Sequence, residues 1–311
     1  MQNWKKIGLL HNSNNSLEWQ NTHAMMPCVL IKDDFIDVYF SPRDSKNQSR
    51  PAKLELHLIN DTFHIKNLSK TPLLELGQLG MYDDSGVMPT CIVKDGETLR
   101  MFYNGWTLGK RIPFTSFNGI AESNNQGVSF KKLSLAPKAL YRSDIDPYST
   151  FAPFVLKVKN EWHMWYVSLI KWENEENKSK HYYHIKHASS IDGVKWNRTG
   201  KVCIDFSNEY EYAIARPCVQ FENNIFKMWY SFRAGKENLT YRIGYAESKN
   251  GTDWVRKDDE VNLTTSHDGW DSQMICYSYV FNFKKEKYMI YNGNNYGKTG
   301  FGIAKLHNNI I

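Results

Sequence analysis

The stretch RPCVQFENNIFKMWYSFR, residues 216–233, decides the fold. An apolar run begins at Arg216-Pro217, a polar turn follows at Asn223-Asn224, and a second run closes on the pair Trp229-Tyr230. Two such runs around a turn read as an antiparallel hairpin. The same pattern recurs as MPCVLIKDDFIDVYF (26–40), MPTCIVKDGETLRMFYNG (88–105), APFVLKVKNEWHMWYVS (152–168) and CYSYVFNFKKEKYMIYNG (276–293). Pro27, Pro89, Pro153, Pro217 and Ser278 stand 62, 64, 64 and 61 residues apart. The closing tyrosines Tyr39, Tyr103, Tyr166, Tyr230 and Tyr291 stand 64, 63, 64 and 61 apart. Two independent anchors with one period mean an internal repeat.

A second half-repeat follows three of the hairpins: GIAESNNQGVSFKK (119–132), HIKHASSIDGVKWNR (184–198) and RIGYAESKNGTDWVRK (242–257). Each is a strand, a turn at Gly127, Gly193 or Gly251, and a strand opening on Phe130, Trp196 or Trp254. The two halves make four antiparallel strands per unit, and four-stranded units repeated radially are propeller blades. The expected fold is therefore all-β: a single five-bladed β-propeller over residues 1–311, with blades starting near 26, 88, 152, 216 and 276. The fifth unit lacks an outer strand. Residues 3–10, NWKKIGLL, resemble KWNRTGKV and DWVRKDDE, so the N-terminal strand is expected to close the last blade. The segment Ile170–His181 is expected to be an exposed insertion in blade three.

Composition agrees. The 311 residues include 18 Tyr, 16 Phe and 10 Trp, which suit pleated, half-buried surfaces. No apolar run approaches the roughly 18–20 residues of a membrane helix. The net charge of +6 is spread out, which gives no reason to expect nucleic acid as a partner. Cys28, Cys91, Cys203, Cys218 and Cys276 are odd in number and show no CxxC spacing, so neither zinc nor another metal is expected. The first residues lack a signal peptide's apolar core, and a cytoplasmic protein with free thiols is expected.

Loops entering the innermost strands of a propeller collect at one mouth, and acids occupy four of them. They are Asp83-Asp84, Asp144 with Asp146, Glu209 with Glu211, and Asp268 with Asp271. Asp in Asp-Pro or Asp-Gly is by itself a turn residue. Recurrence at one register in four blades points instead to a functional set, with Asp84, Asp146, Glu211 and Asp271 as its members. Glycoside cleavage needs such carboxyls, one protonated near the leaving oxygen and one ionised. Arg216 and Arg233 are candidates for binding an anionic or hydroxyl-rich group. Trp106, at the place of Arg233 in its repeat, is a candidate for stacking on a sugar face. His23 and His267 are candidate mouth ligands or acid–base groups. No motif for a redox or nucleotide cofactor occurs.

The five-unit organisation, the acids entering successive blades, the Asp146-Pro147 pair and Glu211 resemble the five-bladed β-propeller glycosidase superfamily. That superfamily comprises glycoside hydrolase families 43, 62, 32 and 68 and the family 130 phosphorylases. The MWYS and GYAESxNGxxW elements also resemble uncharacterised propeller proteins of bacterial surface-glycan gene clusters. The resemblance implies a carbohydrate or activated-sugar substrate at the axial mouth. It implies Glu211 as general acid, Asp146 as the pKa-tuning acid, and Asp84 or Asp271 as base or nucleophile. His23 stands where the family carries its first-blade Asp. A transferase or modifying enzyme of surface-glycan biosynthesis, or a non-catalytic sugar-binding propeller, would use the same fold.

Overall fold

The computed structural model describes residues 1–13, 17–175, 178–233 and 240–307. Strand β1 (Asn3–His11) opens the chain. The first four-strand unit is β2 (Thr22–Ile31), β3 (Phe35–Arg43), β4 (Ala52–Ile59) and β5 (Thr62–Lys66). The second is β6 (Gly86–Asp95), β7 (Thr98–Leu108), β8 (Phe114–Ser123) and β9 (Lys131–Lys132). The third is β10 (Thr150–Val158), β11 (Glu161–Glu175), β12 (Lys178–Ser190) and β13 (Asn197–Ile204). The fourth is β14 (Ala213–Glu222), β15 (Ile225–Arg233), β16 (Arg242–Ser248) and β17 (Trp254–Arg256). The last is β18 (Cys276–Phe283), β19 (Glu286–Asn292) and β20 (Phe301–His307), completed by β1 running antiparallel to β20. The third and fourth units are continuous, because one parallel pair, Tyr183 with Ala213, joins β12 to β14. The strands thus form three sheets of four and one of eight, where separate blades were expected, and none of these sheets closes on itself.

The first strands face one another. β2 packs on β6, β6 on β10, β10 on β14, β14 on β18 and β18 on β2. Further out, consecutive units meet through edge-to-face aromatic pairs. Tyr39 meets Phe130 at 6.0 Å, Phe102 meets Trp196 at 6.0 Å, and Trp165 meets Trp254 at 6.0 Å. Trp229 meets Trp4 at 6.4 Å, and Tyr288 meets Phe63 at 5.2 Å. In each pair an inner-hairpin ring of one unit meets an outer-strand ring of a neighbour. Such contacts contribute about 0.5–1.5 kcal/mol each beyond the area they bury. They explain the aromatic-rich composition and place Trp4 where the repeat places Trp196 and Trp254.

The acids that precede the units are built into this framework. Asp146 is fully buried and accepts hydrogen bonds from Tyr166 Oη (2.9 Å), Ser168 Oγ (2.7 Å), Lys186 Nζ (3.2 Å) and Arg198 Nη1 (3.0 Å). Asp271, also buried, takes Lys6 Nζ at 2.7 Å and Tyr291 Oη at 2.9 Å. Glu211 is bidentate to Arg256 at 2.7 and 2.9 Å and accepts from the Ser207 amide and hydroxyl. In the second unit the equivalent acid is Asp83, held by Lys132 at 2.6 Å and Tyr103 at 3.4 Å. Its neighbour Asp84 sits in a turn, accepting from the Gly80 amide and Ser85 Oγ. Each lock joins a loop to a base on an outer strand, and three of the four also take in the closing tyrosine. Among the described residues the first unit has no such acid, and its Tyr39 hydroxyl is buried without a hydrogen-bond partner.

Removing one member of a buried ion pair leaves the other charge unmatched, at about 3–5 kcal/mol. Asp146→Asn strands both Lys186 and Arg198 and is expected to cost at least about 3 kcal/mol by urea unfolding. Asp84→Asn is expected to stay within about 1 kcal/mol, since the carboxylate is half-buried and, among the described residues, accepts from Gly80, Ser85 and Thr107 and from no base. A smaller loss for Asp146→Asn than for Asp84→Asn would contradict the lock.

Glu222 links the fourth unit to the last. Burial raises its pKa, but hydrogen bonds from Lys287 and Asn282 outweigh that and carry it from 4.5 down to about 2. A carboxylate whose folded pKa is depressed stabilises the fold above its unfolded pKa, and the contribution disappears as pH falls through the folded value. Melting temperatures of wild type and Glu222→Gln are therefore expected to differ most above pH 5 and to converge towards pH 2. A difference constant with pH would refute this linkage.

Candidate functional site

The site begins with one backbone irregularity repeated at the axis. The ladder between first and second strands shifts register beside Met25–Cys28, Pro89–Cys91, Phe151–Phe154, Ala215–Cys218 and Cys276–Tyr279. Met26, Ala152, Arg216 and Tyr277 adopt left-handed φ values of 52, 48, 56 and 55°. A bulge of this kind bends the strand and re-aims a side chain. Neighbouring units hold three of them: Asn292 Oδ1 accepts the Met26 amide (2.8 Å), Asn104 Oδ1 the Ala152 amide (2.7 Å) and Ser231 Oγ the Tyr277 amide (2.7 Å). The residues preceding the anchors, Met26, Met88, Ala152, Arg216 and Tyr277, all line a cavity of about 370 Å³.

The far ends of the second strands supply the rim: Arg43 from β3, Trp106 from β7 and Arg233 from β15. In the expected insertion, residues 170–175 and 178–181 lengthen β11 and β12, residues 176–177 lying outside the described residues, and rings of this hairpin pack beside the cavity. Trp172 packs edge-on to Phe114 at 5.5 Å, and His181 stacks on Tyr183 at 5.1 Å. Phe114, His181 and Tyr183 line the cavity.

Three expected binding residues, Trp106, Arg216 and Arg233, line this cavity. His23 does not, although it feels the charge of Arg43; burial, then Arg43 and Lys298, lower its pKa to about 4. His267 is fully exposed on a surface loop, 3.8 Å from Asp268. Asp84, Asp146, Glu211 and Asp271 are not lining residues, and among the described residues no carboxylate lines the cavity. Each of Asp83, Asp146, Glu211 and Asp271 reaches an outer-strand base, and all but Glu211 also reach the closing tyrosine of their unit. A 20-residue separation is shared by Asp83–Tyr103, Asp146–Tyr166 and Asp271–Tyr291. That spacing selects Asp83 over Asp84. Arg43 was passed over because Pro42 offsets YFSPR by one residue from YSFR. Tyr277 was legible from its register with Arg216.

The cavity is cationic and rich in phenols. Arg216 is fully buried and donates to the carbonyls of Thr90 (2.6 Å) and Pro27 (3.0 Å). Arg233 donates to Tyr212 Oη at 2.8 Å and to Tyr296 Oη, with its guanidinium 4.5 Å from the Tyr241 ring centre. Tyr183 and Tyr241 share a hydrogen bond between their hydroxyls. Burial pushes the Tyr183 phenol up to about 12 against the pull of Arg233, so it stays protonated. His181 is held down at about 4 by burial and by Arg233, and is neutral at pH 7. Chemically the cavity offers hydrogen-bond donors, aromatic faces and positive charge.

No family model matches the chain. Solved structures share its fold. One described as a glycoside hydrolase superposes with a TM-score of 0.71 at 15% identity, covering 97% of this chain and 90% of that one. A member of the GH130 family of mannoside phosphorylases and glycoside hydrolases gives 0.67 at 16%, covering 94% and 86%. A thermostable family-43 glycoside hydrolase gives 0.63 at 16%, covering 92% and 88%. At these identities the likeness is one of fold, a glycoside hydrolase-like propeller. Sequence relatives reach further: the uncharacterized protein MT1551 of Mycobacterium tuberculosis (strain CDC 1551 / Oshkosh) is 34% identical over 306 residues, covering 98% of this chain and 99% of that protein. With the same identity and coverage to the uncharacterized protein Rv1502 of Mycobacterium tuberculosis (strain ATCC 25618 / H37Rv), the chain belongs to the family that these two mycobacterial proteins represent.

Proposed function

We propose that this chain is a carbohydrate-active protein, a single five-bladed propeller over residues 1–311 whose axial cavity seats a sugar. The ring of first-strand contacts and the aromatic pair at each of five unit boundaries support the five-bladed reading. The single observation that carries the functional reading is the convergence of the five residues that precede the anchors on one cavity with Trp106 at its rim. A sugar needs an apolar ring face to stack on and donors for its hydroxyls. Trp106 and the protonated tyrosines offer both. Five unpaired, buried thiols suit a cytoplasmic setting.

A second reading concerns the reaction. Hydrolysis by two carboxyls requires them to flank the scissile bond at roughly 5–9.5 Å from one another. The described lining residues include three arginines and no acid. This favours a transferase or modifying enzyme of surface-glycan assembly, or a pure binder, over a two-carboxylate hydrolase.

Calorimetry with a panel of monosaccharides, sugar phosphates and nucleotide sugars tests the site. Trp106→Ala is expected to weaken binding of whichever sugar binds by about tenfold, a typical loss for an aromatic contact of this kind. Glu211→Gln is expected to lower the melting temperature and leave binding by the folded fraction intact. If no member of the panel binds, or if Trp106→Ala binds as well as wild type, the sugar site is refuted.

A further inference from the structure

Resting on that reading, we propose that the sugar held in the axial cavity carries an oxyanion, a phosphate or carboxylate group, bound by Arg43 and Arg233 beside the buried Arg216.

Elsewhere in the chain, bases that reach into the framework meet acids. Lys6 meets Asp271, Lys132 meets Asp83, Arg198 meets Asp146 and Arg256 meets Glu211. The three cavity arginines depart from this rule. Arg43 donates to Asn47 Oδ1 at 2.8 Å and lies over Trp106. Among the described residues Arg233 donates to the phenols of Tyr212 and Tyr296, and Arg216 to two backbone carbonyls, so the partners of all three are neutral. Burying a cation without a countercharge is costly, and such a group is retained where something else supplies the charge.

A second observation is independent of charge. The Nε atoms of Arg43, Arg216 and Arg233 are all buried and all without a hydrogen-bond partner. Arg216 is itself fully buried, so its Nε is an unmatched donor inside the cavity wall. Unmatched buried donors are rare in native proteins and mark a strained or ligand-bearing place. Strain is present too. Asn295 and Tyr296 both sit in the left-handed region, at φ 51 and 59°, and this turn presents the Tyr296 hydroxyl to Arg233. Consecutive left-handed residues other than glycine are disfavoured, because Cβ crowds the following carbonyl oxygen.

Among the described lining residues nothing supplies the missing negative charge near neutral pH, because the phenols of Tyr183, Tyr241 and Tyr277 are held protonated by burial. A guanidinium fork matches the planar pair of oxygens on a carboxylate or a phosphoryl group. The neighbouring phenols would donate to the same oxygens.

The test uses the full chain and titration calorimetry with glucose, galactose and mannose, their 1-phosphates, glucuronate and galacturonate, and inorganic phosphate. Charged hydrogen bonds lead to an expected gain of about 10- to 100-fold for a charged sugar over its neutral parent. Arg233→Gln and Arg43→Gln are each expected to reduce the ratio of charged-sugar to neutral-sugar affinity to threefold or less. If either variant misfolds, the wild type alone decides: raising NaCl from 50 to 500 mM is expected to weaken the charged sugar and not its parent. Phosphates binding above uronates, or the reverse, identifies the oxyanion, and inorganic phosphate competing with the sugar supports the first. Neutral and charged sugars binding alike at both salt concentrations would overturn the proposal while leaving the sugar site standing. Inorganic phosphate binding without any sugar would overturn the sugar reading instead. Binding of no panel member would overturn both.

Discussion

The cavity is shaped by a backbone bend near the anchor of every unit. In four units the residue ahead of the anchor is pushed out of the ladder and takes a left-handed φ, whereas Met88 stays paired with Asn104 and the shift falls after Pro89. In three of these it precedes proline, a setting that disfavours helical backbone angles. β-Branched side chains would make this worse, and none occurs there: the five residues are Met26, Met88, Ala152, Arg216 and Tyr277. Their side chains are chosen for what they present at the axis. The strain is held by Asn292, Asn104 and Ser231, each from a neighbouring unit, so no unit makes its part of the mouth alone.

Acids and bases are divided between two zones. In the framework they are paired, and the pairing ties each unit's loop to its outer strand. At the mouth the bases stand among phenols and carbonyls. The same protein thus spends its carboxylates on cohesion and leaves the axis positive. The glycoside hydrolase-like architecture and the chemistry of the cavity are therefore separate matters: the former follows from repeated strands and aromatic rings, the latter from a few residues at strand ends.

How much was legible in the sequence follows from the same division. The repeat is written in period-two patterning and in proline and tyrosine anchors, so the strands and the completion of the last sheet by β1 were readable. Separation into individual sheets was not, because one backbone pair between Tyr183 and Ala213 has no side-chain signature. The acids were visible as a recurrent set, but recurrence does not say which way a side chain points. Their separation from the closing tyrosines carried that information, and it indicated burial. Arg216 and Arg233 were legible from register. Arg43 was hidden by a one-residue offset, and His181 by a hairpin whose polar composition concealed Trp172.

The pairing of β1 with β20 has a consequence for how the chain acquires its structure. β1 pairs with β20, and Lys6 meets Asp271 across 265 residues of sequence. Until β20 emerges, β1 lacks its ladder partner and Trp4 waits for a complete Trp229 environment. Contacts of such long sequence separation are formed late and slowly. The β1–β20 pair is thus a clasp fastened late in folding, and until it forms β1 is an unpaired β-edge that must be kept from pairing elsewhere.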